Sequence, residues 1–217
     1  MKAAVFDLDG TLIDSAADIH AAGNAVLAVE GLPPVTLEQS RSFVGNGAGV
    51  YIQRLIAASG LAPDPVLEAR MYRRFLGGYE TAVGLTTLYP SVEQALREIQ
   101  ADGWVLAICT NKPVAPARAV LAHFGLLDLF AVIYGGDSLA VRKPDPAPLL
   151  ATIADLGNPR TLFVGDSEVD ADCAARAGVD FALFTEGYRK TPVAQMPHKI
   201  SFADFADLPA KARLWRA

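Results

Sequence analysis

Two aspartates stand one residue apart at positions 7 and 9, in FDLDGT, directly after the apolar run AAVF. Carboxylates this close repel each other unless a partner or counter-ion offsets them. Taken alone, the pair reads as an acidic turn, because Asp, Asn and Ser are common in strand-to-helix loops, where they cap helices and make turns. Three later segments carry related chemistry, each after an apolar run of its own. Thr110 and Asn111 follow WVLAIC, Lys143 lies in VRKPDP shortly after AVIYGGD, and Asp166, Ser167 and Asp170 lie in GDSEVD after TLFV. If those runs are strands of one sheet, Asp7, Asp9, Asp166 and Asp170 meet at one edge. A hard cation would offset their repulsion, and Mg2+ suits such a site because it takes oxygen ligands and keeps some of its waters. Thr110, Asn111 and Lys143 supply the other half: a hydroxyl, an amide and a point charge able to hold an anion. A cation site, an anion cradle and spare carboxylates together point to phosphoryl transfer.

The positioning elements follow from the apolar pattern. The runs at 3–6, 104–109, 131–134, 161–164 and 181–184 do not alternate polar with apolar residues. Strands covered on both faces look like this, which predicts a parallel sheet between helices. Helical periodicity falls between them at 91–102, 115–124, 146–156 and 171–177. The first helix is expected to open with a capping box of Ser91 and Gln94; the other three stop at Gly125, Gly157 and Gly178. The alternation predicts an α/β fold, a Rossmann-like doubly wound parallel sheet, which binds ligands at the carboxyl ends of its strands. Between the first strand and residue 90 only helical text occurs, at 16–30, 47–59 and 64–79, joined by loops bearing Gly and Pro. This predicts an inserted all-helical cap domain over 15–87, with 1–14 and 88–217 forming the core domain and links at 12–14 and 86–90. The stretch from residue 191 is expected to close the fold without chemistry.

Composition narrows the function classes. With 52% hydrophobic and 20% charged residues among 217, the chain can bury a real core. A net charge of -5 and no basic run of five give nucleic-acid binding no support. No apolar run approaches the length of a membrane span, and the apolar stretch near the N-terminus is too short for a signal-peptide core. Cys109 and Cys173 lie far apart in apolar contexts, outside any CxxC, so buried thiols in a reducing, cytoplasmic compartment are expected. His20, His123 and His198 are scattered, with no metal-ligand spacing.

The order of the motifs carries more than their chemistry. DLDGTLIDS at 7–15, TNK at 110–112, RKPDP at 142–146 and GDSEVD at 165–170 follow one another along the chain. With these four motifs the chain resembles the haloacid-dehalogenase-like superfamily of phosphohydrolases over essentially its whole length. The helical insert looks like that family's helical cap. The resemblance implies that Asp7 is the nucleophile that forms an aspartyl-phosphate. It makes Asp9 the general acid that protonates the leaving alcohol and then activates water. Thr110 and Lys143 would bind the phosphoryl group. Mg2+ would be held by Asp7, Asp166 and the backbone carbonyl of Asp9, with Ser167 and Asp170 in or beside its outer shell. Dehalogenases of the superfamily lack an acid at the place of Asp9. The phosphonate-cleaving branch lacks it too and relies on a cap lysine, whereas no lysine occurs here between Thr11 and Ile108.

The cap should read the leaving group. FVGNGAGVYIQR at 43–54 and the later FALFTEGYRKTPV resemble segments of bacterial phosphoglycolate phosphatases. A small acid such as 2-phosphoglycolate implies a cation from the cap, expected from Arg41 or Arg54, with Gly47 letting backbone approach the ligand. The expected partner is a small phosphorylated metabolite, bound by a monomer or homodimer, with no nucleic acid and no membrane. A sugar-phosphate phosphatase or β-phosphoglucomutase-like phosphotransferase is the alternative enzyme. A non-catalytic regulatory or chaperone-like relative is the alternative outside catalysis, and such a protein has no physical need for both Asp7 and Asp9.

Overall fold

The computed structural model describes residues 1–215. The chain begins with strand β1 (Lys2–Phe6) and the two-residue β2 (Ile13–Asp14). Four helices follow, α1 (Ala16–Val29), α2 (Leu37–Phe43), α3 (Ala48–Ala58) and α4 (Pro65–Tyr79). After the short β3 (Thr87–Leu88) come α5 (Val92–Ala101), β4 (Trp104–Cys109), α6 (Val114–His123), β5 (Phe130–Tyr134), α7 (Ala147–Asp155) and β6 (Arg160–Gly165). The chain continues with α8 (Glu168–Ala177), β7 (Asp180–Phe184), β8 (Ile200–Phe202) and α9 (Leu208–Leu214).

Six strands form one sheet in the order β5-β4-β1-β6-β7-β8, with every neighbouring pair parallel. Residues along β1 divide between its two faces. Ala4 and Phe6 pack with Leu96 and Ile99 of α5 and Leu121 of α6. Ala3 and Val5 pack with Leu149 of α7 and with Ala171 and Cys173 of α8. Helices cover both faces, so the strands have no polar side to show, which is why their sequences read as unbroken apolar runs. Each fully buried large side chain, such as Phe6 or Phe163, contributes about 1.5–3 kcal/mol relative to exposure. The chain runs outward from β1 through β4 to β5, then crosses back to β6 on the other side of β1. The carboxyl ends of β4, β1 and β6 thus share one crevice at the reversal of strand order.

The helices between β1 and α5 form a separate layer with its own apolar centre, built from Ile19, Leu27, Ile52, Leu55, Met71 and Phe75. The chain leaves and re-enters the core through an antiparallel pair, Ile13 against Leu88 and Asp14 against Thr87. These two-residue strands fall inside the links expected from the sequence, where no strand was foreseen; two residues are too few to show a period. Asp18 fixes the return by accepting hydrogen bonds from the Leu85 amide at 3.0 Å and the Thr86 hydroxyl at 2.6 Å.

Several local expectations are corrected. Ser91 precedes α5 but sits at φ 64 and makes no capping hydrogen bond. A capping side chain is usually presented from extended backbone, so the Ser91–Gln94 box does not form. A capping box forms instead at Thr36 and Gln39, through bonds of 3.1 and 2.9 Å, and opens α2, a helix the apolar pattern did not reveal. Helix α8 starts at Glu168, three residues before the expected 171. The tail does close the fold: β8 adds a parallel edge strand, and α9 lays Leu208 and Ala212 on the core. Trp215 packs near Trp104 and donates to Asp180 at 2.8 Å. No helix among the described residues is long and apolar enough to cross a membrane.

Candidate active site

Asp7 is the first residue beyond β1, and its amide continues the ladder by donating to Val164 O at 2.9 Å. The chain then turns tightly, with Leu8 O accepting from the amides of Thr11, Leu12 and Ile13. Gly10 takes φ +87, and a Cβ there would fall 2.6 Å from Asp166 Oδ2 and 2.8 Å from the Tyr188 ring. Only glycine permits that pass. It also brings the Thr11 hydroxyl to donate to Asp166 Oδ1 at 2.7 Å. The first and last motifs are thereby stitched together across the β1–β6 boundary.

Lys143 reaches into the same place from the β5–α7 loop. Its Nζ lies 2.9 Å from Asp7 Oδ1 and 2.6 Å from Asp170 Oδ1. Asp170 also accepts from the Ser167 amide and hydroxyl at 3.2 and 2.7 Å, so Ser167 serves Asp170 directly. Asp166 is buried and accepts a further bond from the Tyr188 amide at 2.6 Å. One oxygen each from Asp7, Asp166 and Asp170 lies within 4.8 Å of the others. Burial, with Asp170 and Asp9 nearby, raises Asp7 to about 6 despite the lowering effect of Lys143. Burial and the Asp170 and Asp7 charges likewise hold Asp166 well above the usual carboxylate range. Burial pulls Lys143 down, but Asp170 and Asp7 outweigh it and keep its ammonium charged. Three buried carboxylates beside one lysine are under-neutralised, and all their donors are hard oxygens. This set fits a divalent cation of the Mg2+ kind.

The anion side comes from the β4–α6 loop. Thr110 is buried; its hydroxyl accepts from the Lys112 amide at 3.2 Å and keeps its own proton to donate. Asn111 was expected to offer its amide to the same anion. Both of its N–H groups are engaged elsewhere, on Gly45 O and Lys143 O at 2.9 Å each. Asn111 is thus a brace between the cap loop and the Lys143 loop. Gly136 packs so closely on it that a Cβ would fall 2.3 Å from Asn111 O.

Asp9 faces a cavity of about 40 Å³ between core and cap, shared with Asp7, Thr110, Tyr51, Phe75 and Tyr79. Its Oδ1 accepts from the Ser15 hydroxyl at 2.5 Å and from Lys112 Nζ at 2.9 Å. Lys112 also meets the Tyr79 hydroxyl and stands 4.2 Å over that ring. Lys112 sits inside the TNK motif, where neither its residue type nor its spacing marks a task. Only the packing of α4 against the core shows one.

The cap residues chosen from sequence lie in different places. Gly47 lines the cavity at φ +86, with a Cβ position 2.8 Å from an Arg142 nitrogen. Arg54 donates to Phe43 O at 2.7 Å and to Asn46 Oδ1 at 2.8 Å, tying down the 43–47 loop. Arg41 pairs with Asp14 at 2.6 Å and stacks 4.9 Å from the Tyr188 ring centre. Neither guanidinium lines the cavity. Tyr188, unremarked in the sequence, joins three regions: its amide holds Asp166, and its hydroxyl donates to Asp14 and accepts from the Ser15 amide.

A doubly wound sheet whose central strand ends gather buried carboxylates and a lysine beneath a helical layer places this chain among α/β proteins with a polar site at the switch point of the sheet. The chain belongs to the haloacid dehalogenase-like hydrolases, whose family model matches residues 1–178. It is 54% identical over 210 residues to a phosphoglycolate phosphatase of Cereibacter sphaeroides, covering 96% of each chain. Identity to the phosphoglycolate phosphatase of Rhodobacter capsulatus is 46% over 213 residues, covering 98% of this chain and 97% of that one. Among solved structures, a predicted phosphoglycolate phosphatase from Haemophilus somnus matches with a TM-score of 0.90 and 33% identity, over 98% of both chains.

Proposed function

We propose that the chain is a Mg2+-dependent phosphomonoesterase that works through an aspartyl-phosphate on Asp7 and hydrolyses 2-phosphoglycolate to glycolate and phosphate. The observation that carries this reading is the buried Asp7 carboxylate, paired with Lys143 at 2.9 Å on the wall of a cavity that also holds Asp9 and Thr110. In this reading a carboxylate oxygen of Asp7 attacks phosphorus, and the bond from phosphorus to the ester oxygen breaks. Asp9 gives that oxygen its proton. Asp9 then takes a proton from the water that attacks phosphorus, which frees Asp7 and releases phosphate. Lys143 and the Thr110 hydroxyl bear on the phosphoryl oxygens throughout. Mg2+ would be held by Asp7, Asp166 and the Asp9 carbonyl, with Asp170 and Ser167 behind them, and supplies positive charge against the phosphoryl oxygens.

A small acid as the ester is favoured by the relatives named above, which are phosphoglycolate phosphatases. The two cysteines are buried free thiols, which suits a reducing, cytoplasmic setting. Phosphate release from a panel of phosphomonoesters with Mg2+ is the test. The highest kcat/KM is expected for 2-phosphoglycolate. Conversion of glucose 1-phosphate to glucose 6-phosphate, in place of phosphate release, would overturn the hydrolytic reading in favour of transfer.

A further inference from the structure

We propose that Lys112 selects the leaving group, its ammonium receiving the carboxylate of a short acid-bearing phosphate ester. This deepens the phosphomonoesterase reading and rests on it. A cation for that carboxylate has to come from somewhere, and the two arginines expected to supply it are both engaged away from the cavity. Among the described residues that line the cavity, Lys112 alone carries a positive charge. Its side chain is 4% exposed, so it cannot lean into solvent.

The geometry fits the task. Asp9 must lie within hydrogen-bond reach of the ester oxygen to protonate it. Lys112 Nζ stands 2.9 Å from Asp9 Oδ1. In a 2-phospho acid the carboxyl carbon is only two bonds from the ester oxygen. A carboxylate so attached falls next to Asp9, where the ammonium already is. An ammonium has three donors. Asp9 and the Tyr79 hydroxyl take two, leaving a third for the ligand. The neighbouring wall of Ile19, Tyr51 and Phe75 is apolar or aromatic, so a carboxylate placed there without a cation would be costly. Gly47 and Ala48, which begin α3 with no capping side chain, add the positive end of that helix to the same wall.

The test compares 2-phosphoglycolate with its uncharged counterpart, 2-hydroxyethyl phosphate, in wild type, Lys112→Met and Lys112→Arg, each with Mg2+. Lys112→Met is expected to lower kcat/KM for 2-phosphoglycolate by about 100-fold, mostly through KM, as a charge-assisted contact is lost. The neutral ester should lose less than about tenfold, the share that passes through Asp9. Lys112→Arg should recover much of the acid ester's KM. Equal losses on the two esters would overturn the assignment and leave Lys112 as a support for Asp9 alone. Should Lys112→Met fail to fold, Tyr79→Phe removes one tether of the ammonium. It should raise KM for the acid ester several-fold more than for the neutral one, and equal shifts would again overturn the idea. If wild type prefers a different acid-bearing ester, such as 3-phosphoglycerate, and Lys112→Met erases that preference, Lys112 stands and the phosphoglycolate reading fails. A wild-type protein with no phosphomonoesterase activity overturns both.

Discussion

Lys143 and Lys112 are both buried lysines beneath the same helical layer, but they are held in different ways. Among the described residues, both ionic partners of Lys143 belong to the core: Asp7 from the end of β1 and Asp170 from α8. Lys112 divides its contacts, with Asp9 in the core and Tyr79 at the end of cap helix α4. The first lysine is therefore positioned whether the cap is down or lifted. The second has its full set of contacts only when the cap is down. Under the proposed function the contrast separates two jobs, with chemistry common to all esters on the sheet and discrimination at the seam between core and cap.

The largest effect should come from the core side. Asp7→Asn is expected to lower kcat by roughly 10⁴-fold or more on every ester, as removal of a covalent nucleophile does elsewhere. Retention of activity by that variant would break the division of labour, because the sheet edge would then not hold the nucleophile. Next in size is Lys143→Met, which leaves Asp7 and Asp170 buried without their cation. A loss of roughly 10²–10³-fold is expected on acid-bearing and neutral esters alike. Equilibrium denaturation should show a stability loss of about 3–5 kcal/mol, the usual result of stranding a buried charge. Selective damage to one ester would place Lys143 on the selecting side and dissolve the contrast with Lys112.

A third prediction concerns metal and protons at the core site. Asp7 is raised to about 6 from its ordinary 3.8 by burial, with Lys143 opposing. A raised carboxylate favours the fold when protonated, so its contribution is present at low pH and is lost as pH rises through about 6. Metal-free protein should thus lose stability between pH 5 and pH 7.5. A bound divalent cation offsets the charge that burial penalises, so Mg2+ should raise the melting temperature more at pH 7.5 than at pH 5. A Mg2+ increment over the EDTA control that is equal at the two pH values would contradict the link between this carboxylate cluster and the metal.

The same division explains what could be read from the sequence. Asp7, Thr110, Lys143 and Asp166 each follow an apolar run, and the strand-end rule for parallel sheets places such residues together without knowledge of any helix packing. The tasks of Lys112, Tyr79, Thr11 and Tyr188 depend on contacts between segments far apart in the chain, which periodicity does not encode. Asn111 shows the limit within a motif. Its residue type suits an anion, but its two N–H groups are claimed by Gly45 O and Lys143 O. Helix α2 has seven residues, under two full turns at 3.6 residues each, too short to show an apolar face. Its Thr36–Gln39 box was a usable signal at the sequence level. At Ser91 the same kind of signal misled, because the residue lies in left-handed backbone, from which its side chain makes no capping bond.

The smallest predicted effect belongs to Arg54, and it tests where the seam ends. On sequence grounds, replacing Arg54 should harm 2-phosphoglycolate far more than p-nitrophenyl phosphate. The structure changes that expectation. Arg54 faces Phe43 O and Asn46 Oδ1 and not the cavity, so it acts on the substrate only through the 43–47 loop. That loop carries Gly45, whose carbonyl receives Asn111, and Gly47, which lines the cavity. Loosening it disturbs the lid for any ester. Arg54→Ala is therefore expected to raise KM by only about a few-fold, because the two hydrogen bonds it loses hold the 43–47 loop and not the substrate, and by similar factors for 2-phosphoglycolate and p-nitrophenyl phosphate. Lys112→Met should separate the same two substrates widely. If Arg54→Ala separated them as well, a second cation would have to reach the leaving group, and carboxylate recognition would extend from the seam into the cap itself.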